Sequence, residues 1–321
     1  MDVILLKEDL TEIGPCLCDI DFDVGLSERS TNDFQMSGSL PDGASGIYIP
    51  GTEFGGLIEY MQTSNTDERV KYKGFTWRGL LTQGIICPPE GADYLTVTGD
   101  ANEILSQLLS SFFGGFFYVP DVVSGISINE YRFPRYCTFL DGITDMLSDH
   151  GAKLKISAGK TAAGQPVRVT IQAERISAIG DKYSSESQVS MTYTDDQMGI
   201  NHLICMGQGE LKERQRVDLY VGPDGAISDV QYFTGAAERT ALYDYSSAQS
   251  TQELISYGKK RLLELQSKKR LEINDAEVNG DIGDLVYGFM AGQAATSPIV
   301  QKILTITGGV WKYESKIEGD S

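Results

Sequence analysis

A chain of 321 residues is long enough for two or three modest domains, each with its own core. Apolar residues make up 41% and charged residues 22%, the proportions of a folded soluble protein and not of a disordered one. The net charge of −18 argues against holding nucleic acid by broad phosphate neutralisation, and 35 glycines favour short strands joined by tight turns.

The amino terminus, MDVILLKEDLTEIG, offers a four-residue apolar run followed by alternating charge. That is too short and too acidic for a signal peptide or a membrane span. In CDIDFDV (18–24), Ile20, Phe22 and Val24 alternate with Asp19, Asp21 and Asp23. Strand period two predicts an apolar set in a core and three carboxylates on the opposite face. GIYIP (46–50), RVKYKGF (69–75) and DYLTVTG (93–99) continue the β pattern.

Asp100 and Glu103 then give a D-x-x-E start signal, and Ile104, Leu105, Leu108, Leu109 and Phe112 recur at helical spacing. TFLDGITDMLSDHG (138–151) predicts a second helix starting at Thr138 and Asp141, with Gly151 as its carboxyl cap. KLKIS (153–157) and PVRVTIQA (166–173) read as a hairpin. Further on, VDLYVGPDGAISDVQYF (217–233) is a hairpin around a GPDG turn, and a helix is predicted over 251–267. The last segment, 297–317, reads as two strands around Gly308 and Gly309, with Trp311, Tyr313, Ser315 and Ile317 on the buried face. The expected fold is therefore mainly β (α+β): a β domain over 1–99, an inserted small α/β domain over 100–186, and a second β domain with one helix over 187–321.

Candidate chemistry is sparse. His150, at a predicted helix end, and His202, in an apolar strand, come without G-x-S-x-G, H-E-x-x-H or any similar signature, which points to structural roles. The five cysteines, Cys16, Cys18, Cys87, Cys137 and Cys205, read as structural thiols of a reducing compartment. With 45 acids the chain always offers carboxylate pairs, so paired-carboxylate hydrolysis has no specific signal. DAEVNGDIGDLV (275–286) places Asp275, Glu277, Asn279, Gly280 and Ile282 near a calcium-loop pattern. Val286, however, stands where a bidentate Glu belongs, so a polar turn is expected. The basic run KKRLLELQSKKR (259–270) lacks interleaved aromatics and reads as a solvated helix face. No catalytic, cofactor-binding or metal-binding residue is expected.

YKGFTWRGLLTQGIICPP (72–89) raises a different possibility, since it resembles the strand-turn-strand element of phage tail-hub proteins. Four stretches resemble that family in the same order: DYLTVTGDANEIL (93–105), RYCTFLDGITDMLSDHGAKLKI (135–156), INHLICMGQGELKERQRVDLYV (200–221) and ALYDYSSAQSTQEL (241–254). GDIGDLV (280–286) follows them, and the likeness runs from about residue 45 onward. The resemblance implies two tail-tube-like β-barrel or sandwich domains and a homotrimeric, pseudo-sixfold ring. That ring would close a tail tube in the virion's distal tail. It implies distal tail or tube proteins, a tape-measure protein and receptor-binding or tip proteins as partners. Double-stranded DNA would pass without specific binding. Trp77 and Arg78 become candidate assembly residues, although Trp77 equally suits its own domain's core. Asp19, Asp21 and Asp23 become candidates for an acidic channel wall, although an ordinary wet sheet face fits them too. Some tail-associated members continue into a hydrolase or fibre region, whereas this sequence stops at Ser321, so the expectation is a hub without enzymatic activity.

Overall fold

The computed structural model describes residues 2–65, 67–184, 190–248, 250–276, 278–290 and 292–320. Two compact units emerge: Met1–Met191 with Glu272–Gly319, and a second centred on Thr192–Leu271. The protein is mainly β, and no described helix is long and apolar enough to cross a membrane.

In the first unit, the alternation at 18–24 forms the strand Asp19–Gly25, with Ile20, Phe22 and Val24 buried. On one side it pairs antiparallel with Asp33–Gly38, and on the other with Gln293–Thr307. Ile20 lies opposite Ile306, and Phe22 opposite Leu304, so the carboxy-terminal hairpin completes the amino-terminal sheet. Beyond Asp33–Gly38 the sheet continues through Asp67–Thr76, Gly55–Ser64, Gly46–Tyr48 and Ile4–Leu6 to Glu12–Pro15. One face packs Phe22 against Phe34 and Phe54, at ring-centroid separations of 5.6 and 5.8 Å. The closing hairpin, Gln293–Thr307 with Val310–Asp320, turns on Gly308 and Gly309 at φ of 57° and 82°. A side chain there would be strained, which is why the turn is glycine-glycine.

An α/β layer fills out the same unit. The helix Ala101–Phe113 starts where expected, with the Asp100 side chain accepting from the Asn102 amide. Phe139–Ser148 is capped by Thr138, which accepts from Asp141. Gly151, at φ +66°, follows the actual cap Asp149. Both helices contact the hairpin Ala152–Gly159 with Arg168–Arg175, through the buried residues Leu105, Leu109, Ile143, Leu147, Leu154 and Ile171. That core also takes in Leu6, Tyr48 and Trp77, so sheet and helices share one apolar interior.

In the second unit the strand order is Ile227–Ser228, Arg216–Val221, His202–Met206, Thr240–Asp244. The helix Thr251–Leu265, capped by Ser250, ends two residues earlier than the sequence suggests. It covers one face of this sheet, burying Leu254 and Leu262 with Leu203, Cys205 and Leu219.

Candidate assembly site

The segment around Trp77 departs from a strand-turn-strand element. Asp67–Thr76 is a strand, but Trp77–Leu80 is a helical turn and Leu81–Gln83 a 3-10 turn before the short strand Ile85–Ile86. The cause is Thr76. Its hydroxyl accepts from the Gly79 amide at 3.2 Å, which starts the turn, and donates to the Asn32 carbonyl at 3.0 Å. Gly79 is required because a Cβ there would lie 2.0 Å from the Asn32 oxygen. Trp77 is 0% exposed; its ring sits 6.2 Å from Phe116 and above Gly55.

Arg78 is buried beside it. The guanidinium donates to Glu53 at 3.0 Å and to the Leu154 carbonyl at 3.1 Å. It therefore ties the loop before Gly55 to a strand of the α/β layer. Trp77 thus lies within the core of its own unit, and Arg78 pairs with Glu53 of the same chain.

Asp19, Asp21 and Asp23 lie on the wet face of a strand in the middle of the sheet, not on an edge. Asp21 is exposed. Asp19 accepts from the Gly308 amide and pairs with Arg69, and these contacts hold its carboxyl below the usual range. Burial pushes the Asp23 carboxyl up, against a hydrogen bond from Gln301. Register places Asp21 opposite Gln35 on one side and Thr305 on the other, and these in turn oppose Lys73 and Lys312. Each lysine is two strands away, about 10 Å. The acidic stripe thus belongs to a face of mixed charge.

Sequence reading missed the best-built charged cluster. Lys153, whose side chain is 3% exposed, lies 2.6 Å from Asp284, 3.2 Å from Asp281 and 3.8 Å from Glu174. Lys155 reaches Glu174 at 3.1 Å and Asp281 at 3.5 Å. Asp284 also accepts from the amides of Ser177 and Asp281, both at 2.9 Å. The acidic loop read against a calcium pattern thus faces a buried ammonium. Ile282 is buried in the sheet core, and Glu277 lies outside the described residues. Among the described residues, no group of three or more His, Cys, Asp or Glu side chains is arranged to hold a metal ion.

A cleft of about 560 Å³ opens beside this cluster, with Phe54, Tyr313, Lys302, Glu53, Asp281 and Glu314 on its wall. Its ionisable groups are engaged within the chain. Glu53 pairs with Arg78, Glu314 with Lys312, and Lys302 donates to the Gly280 carbonyl at 2.8 Å. Burial alone raises the Asp281 carboxyl, but Lys153 and Lys155 outweigh it and hold the group below the usual carboxylate range. A general acid needs the opposite shift. The arrangement suits an ion-paired scaffold better than proton transfer.

In the second unit His202 is buried. Its Nε2 lies 2.8 Å from Asp218 and its Nδ1 2.7 Å from Glu238, while the ring stacks on Tyr220 at 4.4 Å. Arg216 and His202 hold the Asp218 carboxyl low. His150 donates from Nδ1 to the Met146 carbonyl, 2.8 Å away, near its helix end. Of the thiols, Cys18 and Cys205 are buried, Cys16 and Cys137 half-buried, and Cys87 exposed. A hydrogen bond with Cys18 brings the Cys16 thiol down to about 7.

A scan against protein-family models finds no match, and a search of curated protein sequences finds none either. Solved structures do match, over nearly the whole chain. The tail protein from Neisseria meningitidis MC58 superposes with a TM-score of 0.58 at 13% identity, covering 99% of this chain and 96% of that one.

This chain has the phage tail-protein fold.

The 43 kDa tail protein of prophage MuSo2 from Shewanella oneidensis gives a TM-score of 0.57 at 11% identity, covering 99% and 98% of the two chains. A topological model of the p2 virion baseplate in its activated conformation gives 0.51 at 12% identity, covering 100% and 99%. Within this tail-protein fold, Trp77, Arg78 and the Lys153 cluster are internal fastenings.

Proposed function

We propose that this protein is a structural hub of a phage tail tip or baseplate, resident in the distal tail of the virion. Three copies close into a pseudo-hexameric ring that ends the tail tube and joins it to the tip apparatus. The observation that carries this reading is coverage. Tail and baseplate proteins match this chain from end to end, and it matches nearly the whole of them, as with the 99% and 96% for the Neisseria meningitidis tail protein. A likeness so complete in both directions fits a shared architectural role better than a borrowed module.

The two β units support the ring. Three copies of a chain with a large sheet and a four-stranded sheet present six sheet units around one axis, which suits a threefold part meeting a sixfold tube. Its neighbours are tube-proximal tail proteins, a tape-measure protein inside the ring, and tip or receptor-binding proteins beyond it. DNA passes without being held, as the net charge of −18 favours. The role calls on interface stability and not on bond chemistry. Light scattering of the purified full chain tests it. The expected particle has three times the 35.1 kDa chain mass, and a monomer at every concentration overturns the reading.

A further inference from the structure

We propose that Cys16 and Cys18 form a redox-active dithiol, which small hydroperoxides close to a disulfide. The inference goes beyond the hub reading and does not depend on it.

The pair sits where the larger sheet rolls back on itself. From Asp19–Gly25 the paired strands run through Asp33–Gly38, Asp67–Thr76, Gly55–Ser64, Gly46–Tyr48 and Ile4–Leu6 to Glu12–Pro15. In a flat sheet, six strand spacings would set those two ends about 29 Å apart. Yet only Cys16, Leu17 and Cys18 lie between Pro15 and Asp19, a reach of at most about 14 Å. The sheet therefore curls until its terminal strand returns to Asp19–Gly25. Both thiols lie on the strap across that seam.

Local geometry turns the two sulfurs toward each other. Leu17 is 94% exposed, whereas Cys16 is half-buried and Cys18 buried on the opposite side of the strap. The thiol and the amide of Cys18 both donate to the Cys16 sulfur, a local turn like those Asn and Asp make two residues on. Cys18 fills the space over Gly38, where a Cβ would lie 2.5 Å from its sulfur. A disulfide needs Cα atoms about 4.4–6.8 Å apart, which residues two apart reach once the chain bends. It bends at Cys18.

The two sulfurs also divide the work. The hydrogen bonds from Cys18 bring Cys16 down to about 7, while that donation and burial push Cys18 up. Burial pushes Cys137 and Cys205 up to about 11. A half-exposed thiolate thus stands in front of a protonated thiol, as an attacking and a resolving group do. The Cys16 thiolate attacks the hydroperoxide: an S–O bond forms, the O–O bond breaks, and the alkoxide leaves and takes a proton from water. Cys16 is then a sulfenic acid, and its negative charge no longer opposes ionisation of Cys18. The Cys18 sulfur attacks the Cys16 sulfur, the S–S bond forms, and hydroxide leaves with the Cys18 proton as water. The two thiols lose two electrons and the hydroperoxide gains them, giving an alcohol and water.

The test treats the full chain, reduced and carrying Cys87→Ser, with an equal concentration of hydrogen peroxide. The expected product is lighter by about 2 Da, carries a Cys16–Cys18 link in peptide mapping, and reverts with dithiothreitol. Adding Cys18→Ser should stop the reaction at a Cys16 sulfenic acid that dimedone traps. Adding Cys16→Ser should slow peroxide consumption about tenfold or more. In the reduced protein, alkylation of Cys16 by iodoacetamide should rise with pH through a midpoint of about 7. Cys16 and Cys18 both still reduced after Cys137 or Cys205 has reacted overturns the inference. So does a Cys16→Ser variant that consumes peroxide as fast as its parent. A trimer that fails these tests keeps the hub reading, and a monomer that passes them loses the hub and keeps the dithiol.

Discussion

The two units solve the problem of stability with different materials. The larger one fastens its layers with charges taken inside: Arg78 on Glu53, and Lys153 on Asp284 and Asp281. The smaller relies on a helix over a four-stranded sheet and keeps Leu242, Val230 and Tyr232 in solvent. Buried ion pairs add little net stability but strongly penalise wrong arrangements, since a lone buried charge is costly. They suit a unit that must hold one shape.

Both tryptophans, Trp77 and Trp311, belong to the larger unit, so their fluorescence reports its unfolding separately. The largest effect is expected from Arg78→Met. Glu53 is then left buried and uncompensated, at a cost of roughly 3–5 kcal/mol in urea unfolding followed by tryptophan fluorescence. Adding Glu53→Leu should recover most of that loss. If Arg78→Met is silent, the contrast between the units fails at its strongest point.

Lys153→Met is expected to cost about 2–3 kcal/mol, less because Asp284 keeps the amide donors of Ser177 and Asp281, and Asp281 is partly solvated. It also changes the pH dependence. In the folded protein the Asp281 carboxyl is held below its ordinary value of 3.8. Its contribution is thus fully present above that value and is lost as pH falls through the depressed one. Unfolding followed from pH 6 downward should show less acid loss from this site in Lys153→Met than in the unaltered protein. Equal acid sensitivity would remove Asp281 from the account.

In the smaller unit, His202→Phe removes one donor or acceptor from each of Asp218 and Glu238, which keep Arg216 and Gln231. A loss of about 1–2 kcal/mol is expected, seen as faster hydrogen exchange over residues 202–206 with tryptophan fluorescence unchanged. The smallest effect belongs to Asp21→Asn. It is exposed on a face of mixed charge, so its stability should stay within about 0.5 kcal/mol of the unaltered chain.

What the sequence disclosed was local. The alternation at 18–24 placed Ile20, Phe22 and Val24 inside, and the caps at Asp100 and Thr138 marked two helices, because period and capping act over a few residues. Ile20 facing Ile306 across the sheet was not visible, since pairing so far apart leaves no spacing to read. Nor was the Lys153 cluster, whose members come from positions 153, 174, 281 and 284. A lysine inside the alternating run KLKIS was its one local sign. The helical turn at Trp77 was misread as part of a strand pair because its start depends on Thr76 bonding to Asn32, 44 residues earlier. The resemblance to tail hubs led to the right fold for another reason. It used the order of several segments along the chain, which survives even when sequence identity to a matching fold is as low as 13%.

The ring itself can be imaged. Electron micrographs of the purified full chain, averaged without imposed symmetry and viewed along the particle axis, should resolve three identical protomers around a central opening, with six β-rich lobes at its rim. Isolated chains, or closed twofold pairs with no opening, would contradict the hub.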